Sequence, residues 1–320
     1  MGTHCRIVLY APSEGGARKA ATAAFARIAE LDRMMTDYDP HSELMSLCQK
    51  SGGPPVLVSE DLFLVLARAQ EVSRRSEGAF DVTVGPVVHL WRRARRTGLM
   101  PDPAQLTEAR ALVGYQLVRL DDPRRTVQLL KAGMRLDLGG IAKGYAADEA
   151  LKILKRHGVT QALVALGGDI ALGDSPPNAN GWEIGVARLG DQEGKPRPHL
   201  LLHNAAVSTS GDTEQYVEIE GRRYSHLIDP RTGMALSARC SATVVAAHGI
   251  TADSLTKVAS ILEPKRGLQI VEGFSGASAL VVRQGSRGLE TFVSKNFPRV
   301  GPAGVSPNTI ENTTPAAGKP

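Results

Sequence analysis

The chain has 320 residues, of which 42% are hydrophobic and 22% charged, proportions that are usual for a globular protein with a buried core. Its net charge of +5 suits an anionic ligand, but aromatic residues make up only 4%, too few for a surface that stacks nucleic-acid bases. No apolar run reaches the roughly 18 residues of a transmembrane helix, and the three cysteines are too widely spaced to indicate a structural zinc site or a disulfide framework.

The N-terminal part of the chain has helical patterns. Ser59, followed by Glu60 and Asp61, is typical of an N-cap and first helical turn, and Gly78 can close that helix. A longer amphipathic helix is predicted between residues 16 and 35, where apolar residues recur at helical spacing. These residues are Ala17, Ala21, Phe25, Ile28, Leu31 and Met35.

From Gln161 onward the pattern changes to short apolar runs bounded by glycine, which predict strands with tight connections. The runs are ALVALGGDI, WEIGVA, YVEIE, ATVVAAHG and SALVV. Residues 174–180 and 190–198 have the composition of loops, and from Gly301 the chain has the composition of a disordered tail. Because helices and hairpin-like strands do not alternate regularly, we expect an α+β fold with mostly antiparallel sheets packed with helices.

The segment RLDLGGIAKG, residues 135–144, is the richest in candidate chemistry. A strand-like RLDL leads into two glycines and a helix predicted over residues 142–157. Glycines at a helix N-terminus allow backbone N–H groups to approach a phosphate, and Lys143 would add a positive charge there. The glycine spacing is neither that of a Walker A loop nor that of a dinucleotide fingerprint. A plain strand–turn–helix junction explains the same residues, so both interpretations stay open.

Three further segments carry polar groups. HLIDPRTG, which begins at His226, combines turn residues with the side chain best suited to proton transfer near neutral pH, although a structural histidine is the simpler interpretation. The hydroxyls of residues 208–210 suit a phosphate or a turn. In TADSLTK, Thr251 is a predicted N-cap and Asp253 a candidate ligand for a hard cation. Asp253 and Lys257 also have the spacing of a helix-surface ion pair.

Together and in this order, these segments resemble the ApbE family of flavin transferases, the FAD:protein FMN transferases. The matching stretches are MGT, MTDYDPHSEL, SEGAFDVTVGPVVHLW, LDLGGIAKGYAAD, LGGDI, VSTSGD, HLIDPRTG and TADSL, from residue 1 to about 295. The resemblance implies an ApbE-like flavin transferase fold, with a catalytic domain over residues 1–300 and a tail over residues 301–320.

The resemblance also implies a reaction and a set of residues. Family members bind FAD with Mg²⁺, break its pyrophosphate, attach FMN through a phosphoester to a threonine or serine of a target protein, and release AMP. By resemblance His226 is the base that deprotonates the acceptor hydroxyl, and the Gly140 backbone and the Asp253 carboxylate fall on metal positions. The residues expected to contact the flavin substrate are Met35, Ala79, Phe80, Asp81, Asp137, Lys143, Thr209, Ser210 and Ile228.

Two residues depart from the family pattern. Lys257 stands where relatives usually carry a threonine whose hydroxyl is a metal ligand, and an ammonium group has only donors. We hypothesise that it pairs with Asp253 or stands near the pyrophosphate in partial replacement of the cation. Cys48 stands where an asparagine is usual.

Protein flavinylation is therefore the leading hypothesis. The alternatives are an FAD pyrophosphatase, in which water replaces the acceptor hydroxyl, and a non-catalytic FAD-binding protein with a disabled metal site. The resemblance implies target flavoproteins of membrane redox complexes or extracytoplasmic electron carriers as partners. No secretory leader opens the sequence, so the expected location is cytoplasmic, or extracytoplasmic if a leader was removed. No nucleic-acid role is expected, because a solvated helix face explains the arginines of residues 92–96.

Overall fold

The computed structural model describes residues 2–186, 189, 198–211, 216–286 and 288–301. The α-helices within these ranges are α1 (Glu14–Met35), α2 (Glu43–Gln49), α3 (Glu60–Arg75), α4 (Gly85–Thr97), α5 (Pro103–Arg110), α6 (Ala142–Arg156), α7 (Gly249–Ile261) and α8 (Pro264–Glu272). The strands are β1 (Cys5–Leu9), β2 (Val56–Leu57), β3 (Val118–Asp121), β4 (Thr126–Leu129), β5 (Ala162–Leu166), β6 (Asp169–Leu172), β7 (Trp182–Gly185), β8 (His199–Leu202), β9 (Ala206–Gly211), β10 (Tyr216–Ile219), β11 (Arg222–Ser225), β12 (Ile228–Asp229), β13 (Met234–Ala235), β14 (Cys240–Ala246), β15 (Ser278–Gly285) and β16 (Gly288–Val293).

A seven-stranded antiparallel sheet forms the centre of the fold, in the order β1-β5-β6-β9-β14-β15-β16. Helices α6 and α7 pack on one face of this sheet, with α1 against α6 and α8 against α7. The β7–β8 hairpin covers part of the other face. The α+β prediction is confirmed. Among the described residues, no helix is both long and apolar enough to cross a membrane.

Strand β9 shows how the sheet separates two environments. Ala206 belongs to the main core beneath the helices, whereas Val207 joins the apolar cluster beneath the β7–β8 hairpin. Because successive side chains of a strand point to opposite faces, Ser208 and Ser210 face the helices and Thr209 faces the hairpin.

Helices α6 and α7 approach each other very closely where two glycines meet. A Cβ atom on Gly144 would lie 2.1 Å from the carbonyl oxygen of Gly249, and one on Gly249 would lie 2.4 Å from that of Gly144. No other residue type fits at this distance, so the glycine pair sets how closely the first turns of the two helices approach.

Several predicted elements are confirmed. Helix α1 includes the predicted residues 16–35, and α3 begins after Ser59, whose Oγ accepts a hydrogen bond from the Leu62 N–H. Helix α6 begins at the predicted residue, and the apolar runs form β5, β6, β7, β10, β14 and β15. Residues 174–180 form a loop, as predicted. The loop predicted over 190–198 and the predicted tail lie, except for Pro198 and Gly301, outside the described residues.

Two local features differ from what the sequence patterns indicate. Phe25, one of the apolar residues at helical spacing in α1, is 42% exposed, because the buried stripe of α1 runs through Ala20 and Ala24, whose small side chains allow a close approach to α6. The RLDL segment belongs to no strand. Its Leu136 and Leu138 are buried alternately, as in a strand, but the Asp137 N–H donates to the carbonyl of Val82 instead of joining a sheet.

The N-cap prediction at Thr251 is also wrong. Helix α7 begins at Gly249, and Thr251 is buried in its first turn. The carboxylate of Asp148, on α6, accepts hydrogen bonds from the N–H groups of Gly249 at 2.7 Å and of Ile250 at 3.0 Å. A carboxylate from another helix therefore satisfies the donors for which a local cap is normally needed.

Candidate functional site

Two lysines and two aspartates meet where α6, α7 and β6 come together. Asp253 is completely buried, and its Oδ1 accepts a hydrogen bond from Lys257 Nζ at 2.5 Å. Its Oδ2 accepts one from the Gly144 N–H at 3.1 Å and lies 3.9 Å from Lys143 Nζ. Lys143 Nζ also donates to Asp169. We call Lys143, Asp169, Asp253 and Lys257 the Lys–Asp network.

The charged groups of the Lys–Asp network shift one another's pKa values. Burial would raise the pKa of Asp253, but Lys143 and Lys257 outweigh burial and hold this pKa below its ordinary value. Burial would lower the pKa of Lys143, yet Asp253 and Asp169 raise it above its ordinary value. Burial and the neighbouring Asp253 raise the pKa of Asp169. Lys143 is therefore a cation at neutral pH, and one quarter of its side chain is exposed.

Hydroxyl groups complete the contacts of the network. Ser208 Oγ donates to Asp169 at 2.6 Å. Thr256 Oγ1 donates a hydrogen bond to the Asp253 carbonyl at 2.7 Å and accepts one from Lys257 Nζ at 3.1 Å. Because the Thr256 hydroxyl has only one proton, the Ser210 hydroxyl, at 2.8 Å, is the donor in the hydrogen bond between Ser210 and Thr256.

The two predicted hydroxyl residues of β9 thus lie on opposite faces of the sheet. Ser210 contacts α7, whereas Thr209 shares a hydrogen bond of 3.0 Å with Thr243 on the hairpin side. The structure therefore brings Ser210, but not Thr209, to the side of the sheet that carries the network.

The turn before α6 brings Phe80 and Lys257 together. A Cβ atom on Gly140 would lie 3.2 Å from Lys257 Cε and 3.4 Å from Phe80 Cε2, so the lysine stem packs on this glycine. Ala79, Phe80 and Asp81 are all buried. The Asp81 carboxylate accepts hydrogen bonds from the N–H and the hydroxyl of Thr83, and burial raises its pKa.

Arg92 joins two acidic segments next to this turn. It donates to Asp137 Oδ2 at 2.7 Å and to Asp37, and its guanidinium lies over the exposed ring of Tyr38, 4.6 Å from the centroid. Asp37 follows α1, which ends at the buried Met35. Burial raises the pKa of Asp137, against the effect of Arg92. The expectation of a solvated helix face is therefore wrong for Arg92.

His226 is half-buried in the bend between β11 and β12. It is followed by Ile228 and Asp229, which form β12, and the Asp229 carboxylate accepts two hydrogen bonds from the Arg231 guanidinium. The indole Nε1–H of Trp91 donates to the Gly233 carbonyl at 2.9 Å, which fixes the β12–β13 hairpin to α4. The predicted base is thus carried on a unit that packs on the helix of Arg92.

A cleft of about 530 Å³ lies between Asp81 and the Arg231–Thr232 segment of this unit. Its volume is within the usual range for small-molecule sites, about 300–1,000 Å³. The cleft is lined by Glu77, Asp81, Arg110, Tyr115, Arg231 and Thr232, among others.

The resemblance implies a magnesium site at Gly140 and Asp253, but the surrounding groups do not suit this ion. Magnesium requires oxygen ligands in a near-octahedral arrangement. Lys257 donates to Asp253 Oδ1 and the Gly144 N–H donates to Oδ2. An ammonium group repels a second cation and supplies no ligand atom. Within the described ranges, no group of three or more His, Cys, Asp or Glu side chains is arranged to hold a metal ion.

Sequence reasoning missed Asp169 and Arg92 as members of the site. Asp169 stands in the matched stretch LGGDI, and the strand period places it on the helix-facing side with Ala171. This alternation along the strand could have identified Asp169 from the sequence. For Arg92 the partners are distant in sequence, and no local pattern indicates them.

Known proteins share both the sequence pattern and the fold. The profile of the ApbE family matches residues 1–281. The chain is 31% identical to the FAD:protein FMN transferase of Treponema pallidum, over 88% of this chain and 82% of the relative. It is 32% identical to the protein of the same name from Haemophilus influenzae, over 86% of this chain and 81% of the relative.

Solved structures agree with these relatives. The flavin transferase ApbE of Vibrio cholerae superposes with a TM-score of 0.82 at 28% identity, covering 93% of this chain and 95% of that one. The ApbE protein of Thermotoga maritima superposes with a TM-score of 0.81 at 30% identity, covering 92% and 94%. With a family match over most of its length and relatives named as transferases, this chain belongs to the ApbE family and is a transferase.

Proposed function

We propose that this enzyme transfers FMN from FAD to a threonine or serine hydroxyl of a target flavoprotein and releases AMP. The observation that carries the proposal is the position of Lys143. This cation lies in the first turn of α6, directly after the Gly139–Gly140 turn, and is partly exposed. A lysine at a helix N-terminus binds a pyrophosphate well, because the ammonium and the positive end of the helix dipole attract the same anion.

In the proposed step, the acceptor oxygen attacks the FMN phosphorus. A phosphorus–oxygen bond to the target forms, and the bond from that phosphorus to the bridging oxygen breaks, so AMP leaves with the bridging oxygen. The proton of the acceptor hydroxyl passes to the neutral imidazole of His226. Lys143 stabilises the negative charge that develops on the phosphate oxygens.

The flavin ring is assigned to the apolar residues near this turn. Phe80 borders Gly140, and the Arg92–Asp137 pair lies beside the same segment. Met35, Ala79 and Ile228 are buried residues on the surrounding elements, and we assign them to the flavin site together with Asp81. Thr209 faces the hairpin side, and its part in flavin binding stays a prediction from the resemblance.

We assign no part in this step to the magnesium ion that the resemblance implies, because the Lys257 ammonium already pairs with the Asp253 carboxylate that would bind it. The proposed targets are flavin-carrying proteins of membrane redox complexes or of extracytoplasmic electron transfer. Such a target must present its threonine on an accessible segment, so that the hydroxyl can reach the phosphorus in line with the leaving AMP.

Mass spectrometry of a threonine-containing acceptor domain, incubated with FAD and this enzyme, tests the proposal. We expect the acceptor to gain the mass of one FMN phosphoester and AMP to appear in equal amount. His226→Gln is expected to lower the rate about 100-fold or more, since general-base catalysis contributes roughly 10²–10⁴-fold. His89→Gln, at an exposed position on α4, is the matched control and should leave the rate unchanged.

Two outcomes would contradict the proposal. FMN and AMP without an adduct on the acceptor would identify an FAD pyrophosphatase. Bound FAD that stays intact in the presence of the acceptor would identify a flavin-binding protein without catalysis.

A further inference from the structure

We infer that the Lys257 ammonium takes the place of the divalent cation in this enzyme, so that FAD binds with its pyrophosphate on Lys143 and Lys257 and without a metal ion. The inference rests on the proposed function for the identity of the ligand. It concerns how the anion is held, and it can be tested whether or not transfer follows.

The position of Lys257 is fixed at both ends of its side chain. The methylene stem packs on Gly140, where a Cβ atom would approach Cε to 3.2 Å. The ammonium donates to Asp253 Oδ1 at 2.5 Å and to Thr256 Oγ1 at 3.1 Å. An ammonium group has three N–H donors, and these contacts use two of them. The side chain is 14% exposed, and we assign the third donor to a ligand beside the Gly140 turn.

The charge balance of the site opposes a metal ion in addition to this lysine. Lys143 and Lys257 neutralise Asp169 and Asp253 one for one. In the FAD-free enzyme, a divalent ion at Asp253 would leave two excess positive charges in a buried region and would have to displace the ammonium from Oδ1. Charges that are buried without a counterion are strongly unfavourable, so the Lys257–Asp253 pair opposes metal binding before FAD arrives.

The substitution also has a consequence for affinity. An ammonium brings one positive charge where a magnesium ion brings two, and it contacts phosphate through hydrogen bonds alone. We therefore expect FAD binding that is insensitive to chelators and depends directly on the charge of residue 257. A matched set of variants separates charge from shape: Lys257→Arg keeps the charge, Lys257→Met keeps the stem, and Lys257→Thr removes both and frees Asp253 Oδ1.

The experiment titrates FAD into the full chain by flavin fluorescence, in excess EDTA and in excess MgCl₂. For the wild type the Kd should differ less than about twofold between the two conditions. Lys257→Arg should behave in the same way. Lys257→Met should weaken FAD about 10- to 100-fold in both conditions, as expected for the loss of a charged hydrogen bond. Lys257→Thr should be equally weak in EDTA and recover about tenfold in MgCl₂.

Binding of Mn²⁺, followed by electron paramagnetic resonance, provides a readout that does not depend on FAD. We expect no bound Mn²⁺ in the wild type and one ion per chain in Lys257→Thr. Stoichiometric Mn²⁺ binding by the wild type, or loss of FAD binding in EDTA, would overturn the inference. If Lys257→Met does not fold, the wild-type and Lys257→Arg measurements still decide. Metal-independent FAD binding without any FMN adduct would uphold this inference and refute the proposed function.

Discussion

The two faces of the seven-stranded sheet differ in chemistry, although the same strands form both: each face buries apolar side chains, but the helix face also buries ion pairs. The helix face buries the Lys–Asp network beside Ser208 and Ser210. The hairpin face buries Trp182, Ile184 and other apolar side chains. The backbone of the sheet and its hydrogen bonds are common to both faces, so they do not cause this difference. The difference lies in what covers them: two helices whose first turns meet at a glycine pair bring charged side chains, whereas a hairpin brings apolar side chains.

The largest effect is expected from removing a charge on the helix face. Asp253→Asn keeps the shape and the acceptor for the Gly144 N–H, but it leaves Lys257 without its buried counterion and Lys143 with Asp169 alone. We expect the free energy of unfolding to fall by about 3 kcal/mol, the lower end for a broken buried ion pair. Urea denaturation followed by circular dichroism measures it. Glu14→Gln, in the exposed pair with Arg18, is the control and should cost less than about 1 kcal/mol. Equal losses in the free energy of unfolding for Asp253→Asn and Glu14→Gln would show that burial does not strengthen the ion pairs of the network.

A smaller loss is expected from separating the helices that cover this face. Gly144→Ala places a Cβ atom against the Gly249 carbonyl, and backbone cannot move aside as a side chain can. We expect a loss of about 2 kcal/mol in the same denaturation experiment. Gly15→Ala is the matched control, because that helical position has open space around it. A stable Gly144→Ala variant would mean that α6 and α7 can shift apart without loss.

Neighbouring hydroxyls of β9 test the division between the faces directly. Ser210→Ala and Thr209→Val each remove one hydrogen bond, and each should cost about 1 kcal/mol. Only Ser210→Ala should weaken FAD, about fivefold, since Ser210 supports the Thr256 hydroxyl that Lys257 contacts. Fluorescence titration with FAD measures the difference. Weaker binding in Thr209→Val alone would place the flavin contact on the hairpin side.

The smallest effect is expected at the exposed edge of the hairpin face. A hydrogen bond from Asn204 lowers the pKa of Asp174. Because this folded pKa lies below the unfolded value of about 3.9, the group stabilises the fold above that pH, and the contribution is lost as pH falls through the folded pKa. Asn204→Gly suits the left-handed backbone there and removes the donor. In an NMR titration the pKa of Asp174 should rise toward its ordinary value. An unchanged pKa would assign the shift to other groups.

Local patterns in the sequence predicted part of this site. The start of α6 and the pairing of Asp253 with Lys257 both follow from helical periodicity, which acts over one or two turns. The complete burial of Asp253 does not follow from it, because burial depends on α6 and β9, which are distant in sequence. The same holds for Arg92, whose carboxylate partners Asp37 and Asp137 are joined to it only by tertiary packing.

Two errors have a related cause. Residues 135–138 have the alternating burial of a strand, but no neighbouring strand pairs with them, and alternation alone does not reveal a missing partner. Thr251 has the residue type of an N-cap, yet Asp148 performs that role from another helix. In each case the local preference was real and a long-range contact decided the outcome.

The capping of α7 by Asp148 ties the order of folding to the site. The first turn of α7 has its N–H groups satisfied only when α6 is already docked beside it, so the two helices gain their final stability together rather than one after the other. Slow hydrogen exchange at Gly249 and Ile250 would then report the opening of the pair as one unit. Since Lys143 and Asp253 stand on these two helices, the network exists only while that unit is closed, and any motion that separates the helices dismantles the proposed anion site as a whole.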